Sequence, residues 1–169
     1  VVDHLKAKGL LDNTIVIVLG DHGEEFMERG RWGHSAEFNR FQTGTPGVIR
    51  VPGQAPRVIN GISSHLDIPA TLMPLLGVKN PPADYSHGYD LLAADFRRDY
   101  AVAADWNRIA YIGNDFKVSF PVNALGAIRN EVTDGDDRPL ADSNSVIKAI
   151  RTAMLEIMAD LARFTKAPA

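Results

Sequence analysis

The sequence contains no cysteine. Disulfides, thiolate metal ligands and a cysteine nucleophile are therefore excluded within these residues, although the absence assigns no compartment. Long apolar stretches are also missing. A run such as Ile15 to Leu19 falls far short of the roughly 20 residues that a membrane-spanning helix needs. No membrane contact is expected from this segment. Surplus positive charge is absent as well: 18 Lys and Arg stand against 21 Asp and Glu, for a formal net charge of −3. Nothing there suits non-specific nucleic-acid binding, and Arg97-Arg98 reads as part of a solvated face. Nor is there an initiating methionine. The chain opens on a helical pattern (Val1, Val2, Leu5), so it is expected to be a segment of a longer protein, with any targeting or membrane segment outside it.

What the 169 residues do hold is an ordinary globular mixture, 45% hydrophobic and 23% charged, enough for a sizeable core. Apolar residues over 1–11 fit a helix. Thr14 to Leu19 is β-branched without polar alternation, which predicts a strand buried on both faces, as in a parallel sheet. Residues 20–41 are rich in Gly, charge and aromatics, a long functional loop with at most one helical turn. Gly47 to Val51 predicts a second strand stopped by Pro52-Gly53, and the second half of 62–76 a helix whose start Asp67 can cap, with Pro69 tolerated in its first turn. Short runs at 100–103, 108–112 and 116–120, with a turn at Gly113-Asn114-Asp115, predict an antiparallel meander. Val146, Ile147, Ile150, Met154, Ile157 and Leu161 recur at three- and four-residue steps. That spacing predicts a terminal amphipathic helix over 143–164, capped by Asp142 or Ser143 and packed on the sheet.

Chemistry gathers after the first strand, where open α/β sheets place their ligands. Asp21 and His22 sit between Gly20 and Gly23, whose freedom lets both side chains turn toward one ion. A carboxylate with an imidazole suits zinc or manganese, while calcium prefers an all-oxygen shell. Asp-His-Gly alone also suits a simple turn. Glu24 and Glu25 read as a solvated acidic turn or a helix start more readily than as further ligands. His34 follows a Gly-punctuated loop that can turn it back toward the strand end, and histidine as a residue type can protonate a leaving group. His65 reads as bonding backbone, and His4 and His87 as surface residues. Trp32 and Trp106 are also placed on the surface, with Trp32 a candidate wall of the loop beside His34.

The stretch Thr14 to Phe26 with its Gly-Asp-His-Gly-Glu-Glu core, then Gly33-His34, then Thr45-Pro46-Gly47-Val48-Ile49-Arg50-Val51-Pro52-Gly53, resembles the later half of the sulfatase family, within the alkaline phosphatase superfamily. Asp67-Ile68-Pro69-Ala70-Thr71-Leu72 resembles the family's next landmark, with Ala70 interrupting the usual Pro-Thr pair. His87-Gly88-Tyr89-Asp90-Leu91-Leu92 matches a Gly-x-Ser-Leu segment loosely, with Asp90 in the Ser place. The likeness runs in order over residues 1–92. The rest agrees in general plan.

The resemblance implies an α/β fold, with a partial alkaline-phosphatase-like sheet over residues 1–97. A small antiparallel subdomain and a terminal helix would follow over 98–169. It implies Asp21 and His22 as ligands of a divalent metal (zinc or manganese favoured, calcium possible) and His34 as the catalytic contact to the substrate's leaving group. The substrate would be an anionic sulfate or phosphate ester, and the parent protein extracytoplasmic, periplasmic or membrane-anchored. The family's nucleophile, a formylglycine or an unmodified Thr or Ser beside further acidic ligands, lies amino-terminal to the Asp-His pair. None of those segments is found here, so the segment alone is expected to be inactive. The alternative is a related domain without catalysis that serves as a binding or regulatory module.

Overall fold

The computed structural model describes residues 1–122 and 130–165, which pack as two compact units, Val1–Asn60 and Gly61–Ala169. In the first unit, helix α1 (Val2–Ala7) and a 3-10 turn at Leu11–Asn13 lead into β1 (Val16–Leu19). The long loop that follows holds a short hairpin, β2 (Glu25–Phe26) with β3 (Trp32–Gly33), and one helical turn, α2 (Arg40–Thr43). Strand β4 (Gly47–Arg50) then returns beside β1.

The pairing of β1 differs from the parallel arrangement its apolar run suggested. It is antiparallel to β4, with Val16 opposite Arg50 and Leu19 opposite Gly47. Val18 and Leu19 are 61% and 39% exposed, so both faces are not covered within the described residues. An apolar run reports the affinity of a strand for apolar neighbours and carries no information on partner direction. The loop returns β4 without a helical crossover of the kind that parallel pairing requires. Arg50 secures the return by donating to Leu11 O at 2.6 Å and Thr14 O at 3.1 Å.

The second unit begins with α3 (Asp67–Leu75). Asp67 was expected to cap this helix, but it does something else. It is fully buried, and its carboxylate accepts from Ser64 N (2.7 Å) and Tyr89 N (2.8 Å) and pairs with Arg98. Arg98, expected on a solvated face, has only 8% of its side chain exposed and lies over the Tyr89 ring, whereas Arg97 is solvated at 85%. Thr71 Oγ1 donates to Asp67 O and accepts from Leu91 N. Gly88 completes this fastening, because a Cβ there would lie 1.8 Å from Leu66 O. Segment 86–91 is thus bonded to the start of α3, and the buried Leu91 N–H finds its partner there in Thr71.

The meander forms as expected and gains a strand: β5 (Tyr100–Ala104), β6 (Arg108–Gly113), β7 (Phe116–Pro121) and β8 (Glu131–Asp134) make one antiparallel sheet in that order. The single terminal helix appears as α4 (Ser143–Ala149) and α5 (Arg151–Thr165), joined at Ile150, with Asp142 accepting from Ser145 N as the cap. Ile150 and Ile157 pack with Ile109, Tyr111, Val118, Phe120 and Val132 to form the core. Such burial, at ~1.5–3 kcal/mol per large apolar side chain, is what holds the helices on the sheet.

Replacing Asp67 with alanine leaves the Arg98 guanidinium buried without its partner, and a loss of about 3–5 kcal/mol is expected. Urea unfolding would read it. A change below 1 kcal/mol would contradict the role given to this pair.

Candidate active site

The turn after β1 lies against α2. Gly23 N donates to Gln42 O at 2.9 Å, and a Cβ on Gly23 would fall 2.0 Å from Phe41 O and 2.8 Å from Gly44 O. Only glycine permits that approach, and it directs the chain from the turn into β2.

Glu25 fixes what comes next. Its residue has no exposed surface, contrary to the solvated acidic turn expected for Glu24 and Glu25. Oε1 accepts from Arg29 N and Arg31 N, both at 2.9 Å, and Oε2 accepts from Asn39 Nδ2 at 2.6 Å and Gln42 Nε2 at 2.8 Å. Burial would raise the carboxyl's pKa, but the four donors outweigh it and hold the group at about 2. Asn39 also caps α2 by accepting from Phe41 N and Gln42 N, while Gln42 Oε1 accepts from Ala36 N and Glu37 N. One carboxylate therefore fastens the hairpin turn, the following loop and α2 together.

The hairpin register then places the candidate site side chains. Glu25 pairs with Gly33, and one step outward Glu24 meets His34. Since Glu25 points inward, Glu24 points out, and its Oε2 accepts from His34 Nδ1 at 3.0 Å. The His34 ring lies 4.1 Å from the His22 ring, centroid to centroid. His22, Glu24 and His34 form a possible metal-ligand group, each offering one atom within 4.8 Å of the others. All three side chains are between 41% and 46% exposed.

Asp21 stands beside this group. Its Oδ1 accepts from His22 N at 3.0 Å, and its Oδ2 lies 3.6 Å from His22 Nε2. The Asp21 and His22 backbone N–H groups, with His22 and His34 nearby, hold its carboxyl below the usual range. His22 Nδ1 is 2.9 Å from Gly23 O, a contact it makes by donating, so Nε2 keeps its lone pair. Two electron-rich atoms thus stand 3.6 Å apart, close to the separation of two ligands on one metal at about 2.1 Å each. The donor set fits a divalent cation.

The sequence-derived residues Asp21, His22 and His34 come together, and Glu24 joins them unforeseen. Its signal was the hairpin, since two extended stretches about a Gly30 turn make Glu24 and His34 cross-strand neighbours. His4 and His65 are exposed, and exposed His87 lies 3.7 Å from Asp160. Trp32 is 71% exposed and Trp106 96%.

Fold and donors together define an α/β protein with a candidate cation cluster beyond the carboxyl end of its leading strand. Residues 1–78 match the family model described as Sulfatase, and this stretch is sulfatase-family sequence. The chain is 33% identical over 112 residues to the inner membrane protein YejM of Salmonella typhimurium, covering 65% of this chain and 18% of that protein. It is 34% identical over 108 residues to the extracellular sulfatase SULF-1 homologue of Drosophila melanogaster, covering 63% and 9%. The chain thus spans less than a fifth of the length of these curated relatives. Among solved structures, a 2-O GAG sulfatase superposes with a TM-score of 0.75 at 22% identity, over 99% of this chain and 42% of that one. That likeness establishes the fold, an alkaline-phosphatase-like α/β arrangement whose later part is an antiparallel meander followed by helices.

Two outcomes follow for this site. A depressed carboxyl contributes stability above its unfolded pKa, and that stability is lost as pH falls through the folded value. The hairpin should therefore loosen between pH 4.5 and about 2, read as loss of exchange protection at Arg29 N and Arg31 N. Glu25→Gln should remove that pH dependence while weakening protection at neutral pH. Gly23→Ala should destabilise the protein by about 1–3 kcal/mol, measured by thermal unfolding; an unchanged midpoint would refute the close packing.

Proposed function

We propose that this chain is the carboxy-terminal part of the catalytic domain of a sulfatase-like, metal-dependent enzyme. It would act on sulfate or phosphate esters. The observation that carries the reading is the convergence of Asp21, His22, Glu24 and His34 beyond β1, on sulfatase-family sequence. In this reading His22, through Nε2, and Asp21 hold a divalent cation, with zinc or manganese favoured by the mixed nitrogen and oxygen donors. The bound metal would supply Lewis-acid neutralisation of the anionic ester.

The other work falls to the chain itself. Glu24 accepts from His34 Nδ1, which holds the ring in place; as an imidazolium His34 would give its Nε2 proton to the leaving oxygen and become neutral, keeping the Nδ1 proton in its hydrogen bond to Glu24. The division of residues 1–97, which bear the site, from a supporting subdomain over 98–169 belongs to the same proposal. So do a nucleophile supplied from elsewhere in a longer polypeptide and an extracytoplasmic or membrane-anchored setting. Among the described residues no helix is long and apolar enough to cross a membrane. The inner-membrane and extracellular descriptions of the relatives support that setting.

Calorimetry with zinc is the direct test. One weak site is expected, and Asp21→Ala combined with His22→Ala should lower its affinity at least about tenfold, as loss of two ligands implies. His34→Ala should leave the affinity within about threefold if His34 serves the leaving group, whereas a ligand role would give the larger loss. Equal affinity in the Asp21/His22 double variant would remove the metal reading and favour a non-catalytic module.

A further inference from the structure

The first compact unit ends at Asn60 and the second begins at Gly61. Residues 53–61, which lead up to this step, are exposed and lie outside every helix and strand. Among the described residues, nothing bonds the Asn60 side chain or the Gly61 N–H. Gly61 holds φ at +151°, while a Cβ built on it would meet nothing within 4 Å. Backbone conformation, not crowding, is therefore what calls for glycine here. That requirement has a chemical consequence, because an asparagine before glycine meets the next backbone nitrogen with no Cβ in the way.

Asn60-Gly61 is the only Asn-Gly step in the sequence, and Asp134-Gly135 is the only Asp-Gly step. The structure treats them differently. Asp134 Oδ1 accepts from Asp136 N at 2.9 Å and Arg138 N at 2.8 Å, and Gly135 N donates to Asp115 O at 3.0 Å. Carboxyl and backbone nitrogen are both occupied there. At Asn60-Gly61 both partners of the reaction stand open to water.

We infer that Asn60 is a site of self-modification, at which Gly61 N attacks the side-chain amide and converts it, through a cyclic imide, to aspartate and isoaspartate. The bond from Gly61 N to Asn60 Cγ forms as the Cγ–Nδ2 bond breaks. The Gly61 N–H proton leaves with the side-chain nitrogen as ammonia. Water is the only other reactant. Its hydroxyl adds to one imide carbonyl and its remaining proton returns to the nitrogen, so nothing is oxidised or reduced. Opening at Cγ restores the ordinary backbone as aspartate, and opening at the main-chain carbonyl leaves isoaspartate. Either product adds one negative charge, taking the formal net charge from −3 to −4. Isoaspartate also inserts one carbon into the main chain between β4 and α3. The site is independent of the function proposed above.

The full chain would be held folded in mildly alkaline heavy-oxygen water and digested with trypsin at intervals. The peptide beginning at Val58 should gain an acid carrying heavy oxygen and become a substrate for isoaspartyl carboxyl methylation. The peptide carrying Asp134 should gain neither. Asn60→Gln, whose longer side chain closes only a six-membered ring, should slow the reaction at least about tenfold, or about 1.4 kcal/mol on the barrier. Unfolding in urea should leave the Asn60 rate within about threefold, since a segment already open gains little access.

A folded chain that gains no label at residue 60, or gains it more than about threefold more slowly than the unfolded chain, would overturn the inference. So would a slowing of less than about tenfold in Asn60→Gln. Labelling of Asp134 in the folded chain at the Asn60 rate would do the same, since the open and the occupied step would then behave alike.

Discussion

A buried carboxylate is an expensive thing to place in a protein, and the site-bearing unit is arranged around the need to satisfy one. Glu25 brings four acceptor sites into a position with no solvent, and all the donors come from later in the chain: Arg29 N, Arg31 N, Asn39 and Gln42. Those donors can reach it only if residues 27–31 turn back, if 34–38 pass over Gln42, and if α2 starts at Asn39. The path of the loop is therefore the solution to a hydrogen-bonding problem. Because hydrogen bonds to a charged acceptor are among the strong ones, the solution is a stiff one.

Stiffness at Glu25 is passed outward by strand geometry. Neighbouring residues on an extended strand face opposite ways, so fastening Glu25 inside commits Glu24 and Phe26 to the outside. The hairpin register then chooses their partners, His34 and Trp32. The chemistry-bearing pair and the aromatic pair are thus consequences of one buried group, and neither needs a core of its own. Gly23 makes the complementary adjustment on the other side, bringing the Asp21-His22 turn against α2 so that the His22 and His34 rings meet at 4.1 Å. A loop long in sequence becomes short in space.

Much of the architecture was legible because it rests on periodicity. The meander strands, the apolar stripe through Val146, Ile150 and Ile157, and the Asp142 cap follow from local patterns, and each is where those patterns put it. Strand β8 escaped notice because Glu131–Asp134 offers one large apolar residue, Val132, and too few positions to show alternation. The direction of β1 was not readable, since an apolar run names no partner. Asp67 and Arg98 were misjudged for a related reason. Each looks like surface alone and becomes a buried residue only when the other arrives from 31 positions away. Asp21, His22 and His34 were singled out through residue chemistry and family likeness, and the fold brings them together. Glu24 and Glu25 look identical in sequence, and only the hairpin separates a buried fastener from an exposed carboxylate that meets His34.

The exposure of the clustered donors agrees with this division of labour. Side chains between 41% and 46% open to water would hold a cation of the proposed kind loosely, because water competes for each ligand position and the surrounding dielectric is high. A tight catalytic zinc site takes three protein ligands with ordered second partners and a dry wall. Here the ordered partners are already present: Gly23 O for His22 and Glu24 for His34. Asp21, 89% exposed, is held by its backbone neighbours in the ionised form that a cation requires. In the proposed reading this segment would contribute orientation, with the His22 and His34 rings held by Gly23 O and Glu24 before any ion arrives. Affinity depends on how much water is excluded around it, and the Glu25-fastened hairpin gives any covering group a fixed surface on which to close.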